Sequence, residues 1–308
     1  MGTPFIAFLD PTPTLGTAWD RSLPSHQQKN TTPASVDDLN SLPSLEHVIP
    51  RTFVDAMSVR EQVYVAEQGV PQENEFDDDD FRSCHWVIYA SISQVVEHEQ
   101  RDPATGQVIR PRRSESSSVP IGTIRLVPFP HEAHPLDGGV YVDGKLVNGD
   151  ELKKPSPVST PMTEEEKQRY PLGPVGDKLT YVDPKYTFIR DRPTSLHDGV
   201  EPYVKLGRLA VVKEFRGRGI AGQLIRAAID WQRQHTKYWN PNPAVLGFEK
   251  LGMDGDGLVP KWRGLICCHA QEDAVKIWQK HGFQVDEGMG RWTEEGIPHV
   301  GMFLRVPL

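Results

Sequence analysis

Cysteine is scarce: the chain of 308 residues has three, Cys84, Cys267 and Cys268. That number excludes a disulfide framework. The adjacent pair Cys267 and Cys268 would point to opposite faces of a strand, as free thiols in a reducing compartment do. Long apolar runs are missing too. Nothing approaches the ~18 consecutive residues that a spanning helix needs, so no membrane segment is expected. Positive charge is in deficit, with 34 Lys and Arg against 42 Asp and Glu and a net charge of −8. A nucleic-acid partner usually demands a basic face, so this balance argues against one. It is compatible with a cationic small substrate, and it is also ordinary for a globular protein. No Cys/His spacing suggests a metal site. The opening MGTPFIAFLD has no basic n-region or long apolar h-region, and Ile6 breaks the myristoylation pattern. A cytoplasmic location is the expectation, and the same features do not exclude a nuclear one.

Hydrophobic residues make up 37% and charged residues 25%, with 26 Gly and 27 Pro. This composition fits one core padded by polar insertions. Residues 1–44 read as an extended N-terminal arm, whose run Phe5–Leu9 could add an edge strand. Residues 45–308 read as a single domain with insertions at about 97–118 and 129–202. Helical spacing of Phe53, Met57, Val63 and Tyr64 predicts a helix over 52–67. Strands are expected at His85–Ile92, Ile121–Val127, Val140–Val142, Lys178–Val182 and Tyr203–Val212, and the two insertions are expected to form lobes over one side. A helix at Gly219–Gln234, a strand at Leu265–His269, a helix at Asp273–His281 and final strands from Phe283 and Val300 complete the pattern. Alternation of strand and helix over the last hundred residues indicates an α/β architecture.

The chemistry concentrates in LAVVKEFRGRGIAGQLI, Leu209–Ile225. An apolar strand ends at Val212, and a short turn with Arg216, Gly217, Arg218 and Gly219 leads into an amphipathic helix. The first N–H groups of a helix lack partners and carry the positive end of its dipole, so they suit a phosphate or pyrophosphate. Gly217 and Gly219 let the backbone approach the anion, and Arg216 and Arg218 add charge. The same residues, Gly217-Arg218-Gly219-Ile220-Ala221-Gly222, also spell the dinucleotide fingerprint GxGxxG. Val245–Phe248 with Glu249 could stand as its second strand and ribose-binding acid. Pro241, Pro243 and Gly247 crowd that segment, however, and it comes late for the usual spacing of ~20 residues.

The pattern Arg216-x-x-Gly219-x-Ala221 after Leu209-x-Val211 resembles motif A of the GNAT N-acetyltransferases. Gln271-x-x-Ala274-x-x-x-Trp278-x-x-x-Gly282-Phe283 resembles the final strand, helix and Gly-Phe of that family. Within it, the chain looks most like the ElaA-like subgroup. Shared features are Glu67-Gln68-Gly69-Val70-Pro71, the acidic run Glu73–Asp80, Gly207-Arg208, and Gly296-Ile297-Pro298-His299-Val300-Gly301-Met302. The resemblance implies a mixed, mainly antiparallel sheet with helices on both faces. It also implies that acetyl-CoA binds where two parallel strands splay. Pantetheine would pair with Leu209, Ala210 and Val211. Pyrophosphate would sit on Arg216, Gly217, Arg218, Gly219, Ile220, Ala221 and Gly222, with Gln271 and Trp278 completing the cofactor side.

By the same resemblance, a primary amine on a small molecule or peptide attacks the thioester directly. That chemistry needs a base for the ammonium, donors for the oxyanion and an acid for the thiolate. Glu73, Glu75 and Asp77 are candidate bases, with His269 and His299 behind them. Solvated loop acids and a structural histidine hydrogen bond are the plainer readings of the same residues. Trp278 departs from the pattern, because the family usually has Tyr there as general acid. Either another group or solvent protonates the thiolate, or the chain is a CoA-binding sensor without turnover.

Overall fold

The structure, a computed structural model, describes residues 4–12, 18–29, 48–101, 105–149, 191–240 and 261–308. The strand expected at Lys178–Val182 and the segment Val245–Glu249 lie outside the described residues.

Strand β1 (Phe5–Leu9) is followed by helix α1 (Arg51–Arg60), which runs without a break into a π-helical segment, Glu61–Glu67. Pro50 precedes α1, where its missing N–H is harmless. Gly69, at φ +78°, ends the segment in a left-handed turn that an L side chain resists. After the short helix α2 (Gln72–Glu75) come β2 (Cys84–Glu97), β3 (Gln100–Arg101), β4 (Val108–Arg110) and β5 (Arg113–Val127). Then follow β6 (Val140–Val142), β7 (Lys145–Leu146), β8 (Val204–Val211), α3 (Ile220–Gln234) and β9 (Leu265–Gln271). The chain ends with α4 (Val275–Gln279), β10 (Gln284–Val285), β11 (Arg291–Glu294) and β12 (Ile297–Arg305).

The main sheet has the order β1-β2-β5-β8-β9-β12-β11-β6-β7, with β10 beside β12. Only β8–β9 and β11–β6 run parallel among the described strand pairs. The run in the N-terminal arm is an edge strand, with Phe5 stacked on Tyr89 and Phe8 against Trp86. Residues 97–118 are not a separate lobe. Among their described residues, the ends of β2 and β5 pair as one ribbon out to Glu97 and Arg113, β3 and β4 pair with each other, and β5 passes from exposed at Arg113 to buried at Ile121.

Two layers of helix enclose the sheet. On one face α3 buries Leu224, Ile225 and Ala228 against Ile88, Ile124, Leu206, Ile266 and Cys268. On the other, α1 sets Phe53 and Met57 against Trp19 and Phe76, Ala56 on Val87 and Tyr89, and Val59 with Val63 on Ala210. Each fully buried aliphatic or aromatic side chain contributes roughly 1.5–3 kcal/mol of transfer free energy, so both layers hold the sheet firmly. Cys267 and Cys268 do face opposite sides: Cys267 joins Tyr203 and Phe303, while Cys268 joins the α3 side. Burial pushes both thiols well above their ordinary range, which suits packing rather than reactivity.

Candidate active site

Strands β8 and β9 pair over three positions only: Val204 with Ile266, Lys205 with Cys267 and Leu206 with Cys268. Beyond Leu206 and Cys268 they part, each keeping its ladder with an outer neighbour. The cause is a bulge in β8. Gly207 lies opposite Arg125 and Ala210 opposite Thr123, so Arg208 and Leu209 together face Ile124. Arg208 takes φ +48°, an uncommon conformation for a residue with a Cβ. An extra residue bends and twists a strand, which opens a V between β8 and β9. Two carbonyls of β8, one in the bulge and one beyond it, accept side-chain donors. Tyr64 Oη–H donates to Leu209 O at 3.0 Å, and Arg216 Nε–H to Val211 O at 2.8 Å.

The strand runs from the V into a 3-10 turn, Lys213–Phe215, and then into α3. Gly219 is the N-cap, at φ +77°, and makes no side-chain cap; Gly217 stands at φ +75°. A Cβ at either would meet nothing within 4 Å, so the space before the helix start is open. The first N–H groups of a fifteen-residue helix, without intrahelical acceptors, face that space. These features fit a pyrophosphate cradle. Gly222 has another role, since a Cβ there would approach His281 Nε2 to 3.0 Å, and its absence lets α3 pack closely. Ile220 is buried in the core and Ala221 packs against it. Exposed Arg216 pairs with Glu67 at 2.8 Å, and the Arg218 guanidinium lies 5.6 Å from the Phe215 ring.

The acidic run after α1 is an ion network rather than a field of free carboxylates. Arg60, fully buried, binds Glu75 and Asp80, each at 2.5 Å. Arg125 binds Asp77 at 2.5 Å and Asp80 at 2.7 Å. Arg208 reaches Asp77 at 2.9 Å and Glu75 at 3.5 Å, and Arg82 pairs with Asp79 at 2.6 Å. Burial opposes the charge on Asp80, but Arg125 and Arg60 more than offset it and hold its carboxyl well below the usual range. Four arginines thus face four carboxylates. The network also anchors the bulge through Arg208. Glu73 is exposed on α2. His85 is a core residue hydrogen-bonded to Asp80 O at 2.8 Å, and burial depresses its pKa to about 4.

Around the V the structure brings together Leu209–Val211, Arg216–Gly219 and Gln271. The amide of Gln271 is paired both ways with that of Gln68, at 3.0 and 3.1 Å, which ties β9 to the end of the π-helical segment. Trp278 is buried beneath, its ring 5.0 Å from Phe283 in the main core. His299 lies opposite Gln271 on β12, and its Nδ1–H donates to Ile297 O at 2.8 Å. Sequence reasoning missed Arg60, Arg125 and Glu294. One signal existed: Phe53, Met57, Arg60 and Tyr64 follow at helical spacing, which puts a charge on a buried stripe and demands carboxylate partners. Among the described residues no group of three or more His, Cys, Asp and Glu could hold a metal ion, and no helix is long and apolar enough to cross a membrane.

The profile of the acetyltransferase (GNAT) family matches residues 186–253, the stretch that holds β8, the glycine turn and α3. That match, set among a mixed sheet with parted parallel strands, identifies residues 186–253 as similar to the acetyltransferase (GNAT) family of acyltransferases. No curated protein matches the sequence significantly. Among solved structures, Escherichia coli ElaA is similar at 13% identity, over 97% of this chain and 99% of that one, with a TM-score of 0.37. An acyl-CoA N-acyltransferase from Pseudomonas aeruginosa is similar at 16% identity over 82% and 88%, with a TM-score of 0.34. Arabidopsis thaliana NAA60, crystallised with acetyl-CoA, is similar at 11% identity over 82% and 93%, with a TM-score of 0.31.

Proposed function

We propose that the protein is an N-acetyltransferase that moves the acetyl group of acetyl-CoA to a primary amine by direct attack in a ternary complex. The observation that carries this reading is the adjacency of two features: the V between β8 and β9 opens toward the glycine-started N-terminus of α3. A ligand with an anionic head and a long polar tail matches that arrangement. Its pyrophosphate lies on Gly217–Gly219 and the first turn of α3, with Arg216 and Arg218 adding charge. Its pantetheine extends along Leu209, Ala210 and Val211 toward the vertex.

In this reading Glu75 is a positioning residue, because its carboxylate is held by Arg60 and lies near Arg208. Exposed Glu73 remains a charge on the acceptor side and His299 a second basic group. Trp278 packs the core, and solvent protonates the departing thiolate, which is feasible because thiols ionise near ~8.5. The acceptor is an amine of a small molecule or peptide. The test is a panel of primary amines with acetyl-CoA, following free thiol and acetylated product. Amine-dependent thiol release is expected. Binding of CoA without release for any amine would leave the chain a CoA sensor and reject the enzyme.

A further inference from the structure

Beyond the last paired residue of β9 stands His269. Continuing the register of Leu206 with Cys268 would set His269 level with Gly207, at the vertex of the V. Cys268 and Ala270 belong to the core on the α3 side, so His269 faces the opposite layer, toward Trp292 and His299. Its Nδ1 lies 3.3 Å from Glu294 Oε1, and Trp292 Nε1–H donates to the same oxygen at 2.6 Å. A carboxylate only accepts, so the proton of the neutral imidazole sits on Nδ1 and the lone pair on Nε2. Nε2 meets no hydrogen-bond partner among the described residues and is not among the buried polar atoms left without one. It therefore reaches solvent while the rest of the ring is half-buried, with 18% of the side chain exposed.

The vertex is also where the reaction belongs. A strand rises ~3.3 Å per residue, so pantetheine laid along β8 from Val211 to Gly207 covers about 13 Å and ends there. We infer that His269 Nε2 is the base that takes the proton from the attacking amine, with Glu294 as the positioning residue that fixes its tautomer and Trp292 steadying Glu294. This rests on the amine-acetylation reading. The step balances: R–NH3+ gives one proton to His269, the free amine forms the C–N bond, and the C–S bond breaks to release CoA thiolate. The amide nitrogen sheds a second proton, the thiolate takes one from solvent, and the net products are amide, CoA-SH and one proton.

The groups around His269 are Glu294 on β11, His299 on β12, Lys205 on β8, and His131 and His134 from the chain after β5. Burial lowers the pKa of His269 from its ordinary 6.5, only partly opposed by Glu294, so the ring is neutral and basic at pH 7.

The experiment compares kcat, KM and pH profiles of wild type, His269→Ala, Glu294→Gln and His299→Gln, with 15N NMR of the imidazoles. His269→Ala should lower kcat by about 10²–10⁴, keep acetyl-CoA affinity within about twofold, and regain rate with added imidazole. Glu294→Gln removes a negative neighbour, so the acid limb should move to lower pH while Nδ1 loses its fixed proton. Turnover by His269→Ala with the acid limb unmoved, or loss confined to His299→Gln, would overturn the assignment alone. Wild type that binds acetyl-CoA but acetylates no amine would overturn it together with the enzyme reading.

Discussion

Glu67 and Arg216 form a 2.8 Å ion pair that joins the end of the π-helical segment to the glycine turn. Arg216 also holds Val211 O, so this one guanidinium links helix, strand and turn. A pyrophosphate arriving at the turn would compete with Glu67 for it. Exposed pairs contribute about 0–1 kcal/mol, so Glu67→Gln should strengthen CoA binding by up to about fivefold. Calorimetric titration of CoA checks this, and weaker binding by the variant would mean that Glu67 supports the cradle.

Gly219→Val should fold and lose CoA. The added Cβ meets open space, but φ +77° strains a side chain there, and the branched group fills the room before the helix N–H groups. The strain amounts to about 1–3 kcal/mol, which a domain of this size tolerates. Circular dichroism should stay native while calorimetry shows affinity falling at least tenfold. Unaltered affinity would place the pyrophosphate elsewhere.

Asp80 is where the acid network is most exposed to mutation and pH. Asp80→Ala leaves Arg60 and Arg125 buried with one partner fewer, and breaking such a cluster costs about 3–5 kcal/mol. Denaturant titration reads that loss. In the wild type the folded carboxyl titrates below its ordinary 3.8, so its contribution is complete above that pH and disappears as pH falls through the folded value. Melting temperature should therefore drop steeply below about pH 4, and a flat profile there would deny the pairing.

The glycine turn and its helix were legible because strand, turn and helix are contiguous and each needs a particular residue at a particular place. Phe5–Leu9 announced itself by apolar density, and the two faces of Cys267 and Cys268 follow from strand alternation alone. The acidic run misled. Its carboxylates read as an attraction for cations because their partners, Arg60, Arg125 and Arg208, are distant in sequence and meet them only in the fold. β11 was missed because RWTE is four residues long with one apolar member, and Glu294 went with it. The bulge at Arg208 leaves no trace in residue type, since an arginine at positive φ is held there by contacts rather than by its own preference. Residues 97–118 read as an inserted lobe because the outer part of β5, Arg113–Ser118, buries neither face and so shows no alternation.

Neutralising the loop consequently has a different expected effect from that of stripping charge off a surface. Asp77→Asn should reduce stability by loosening Arg125 and Arg208, while Glu73→Gln should leave the melting temperature within about 1 °C, as substitutions on exposed surface usually do. Thermal melts of the two single variants check the contrast. Equal melting temperatures would mean that the network holds nothing.

The reading of the turn as a CoA cradle rather than a dinucleotide site is tested most directly by melting the wild-type protein with acetyl-CoA, CoA, NAD and NADP in parallel. A ligand that binds only the folded chain raises its melting temperature by mass action. Stabilisation by acetyl-CoA and CoA, increasing with concentration, and none by NAD or NADP is the predicted result. Stabilisation by either dinucleotide without any by CoA would contradict the account.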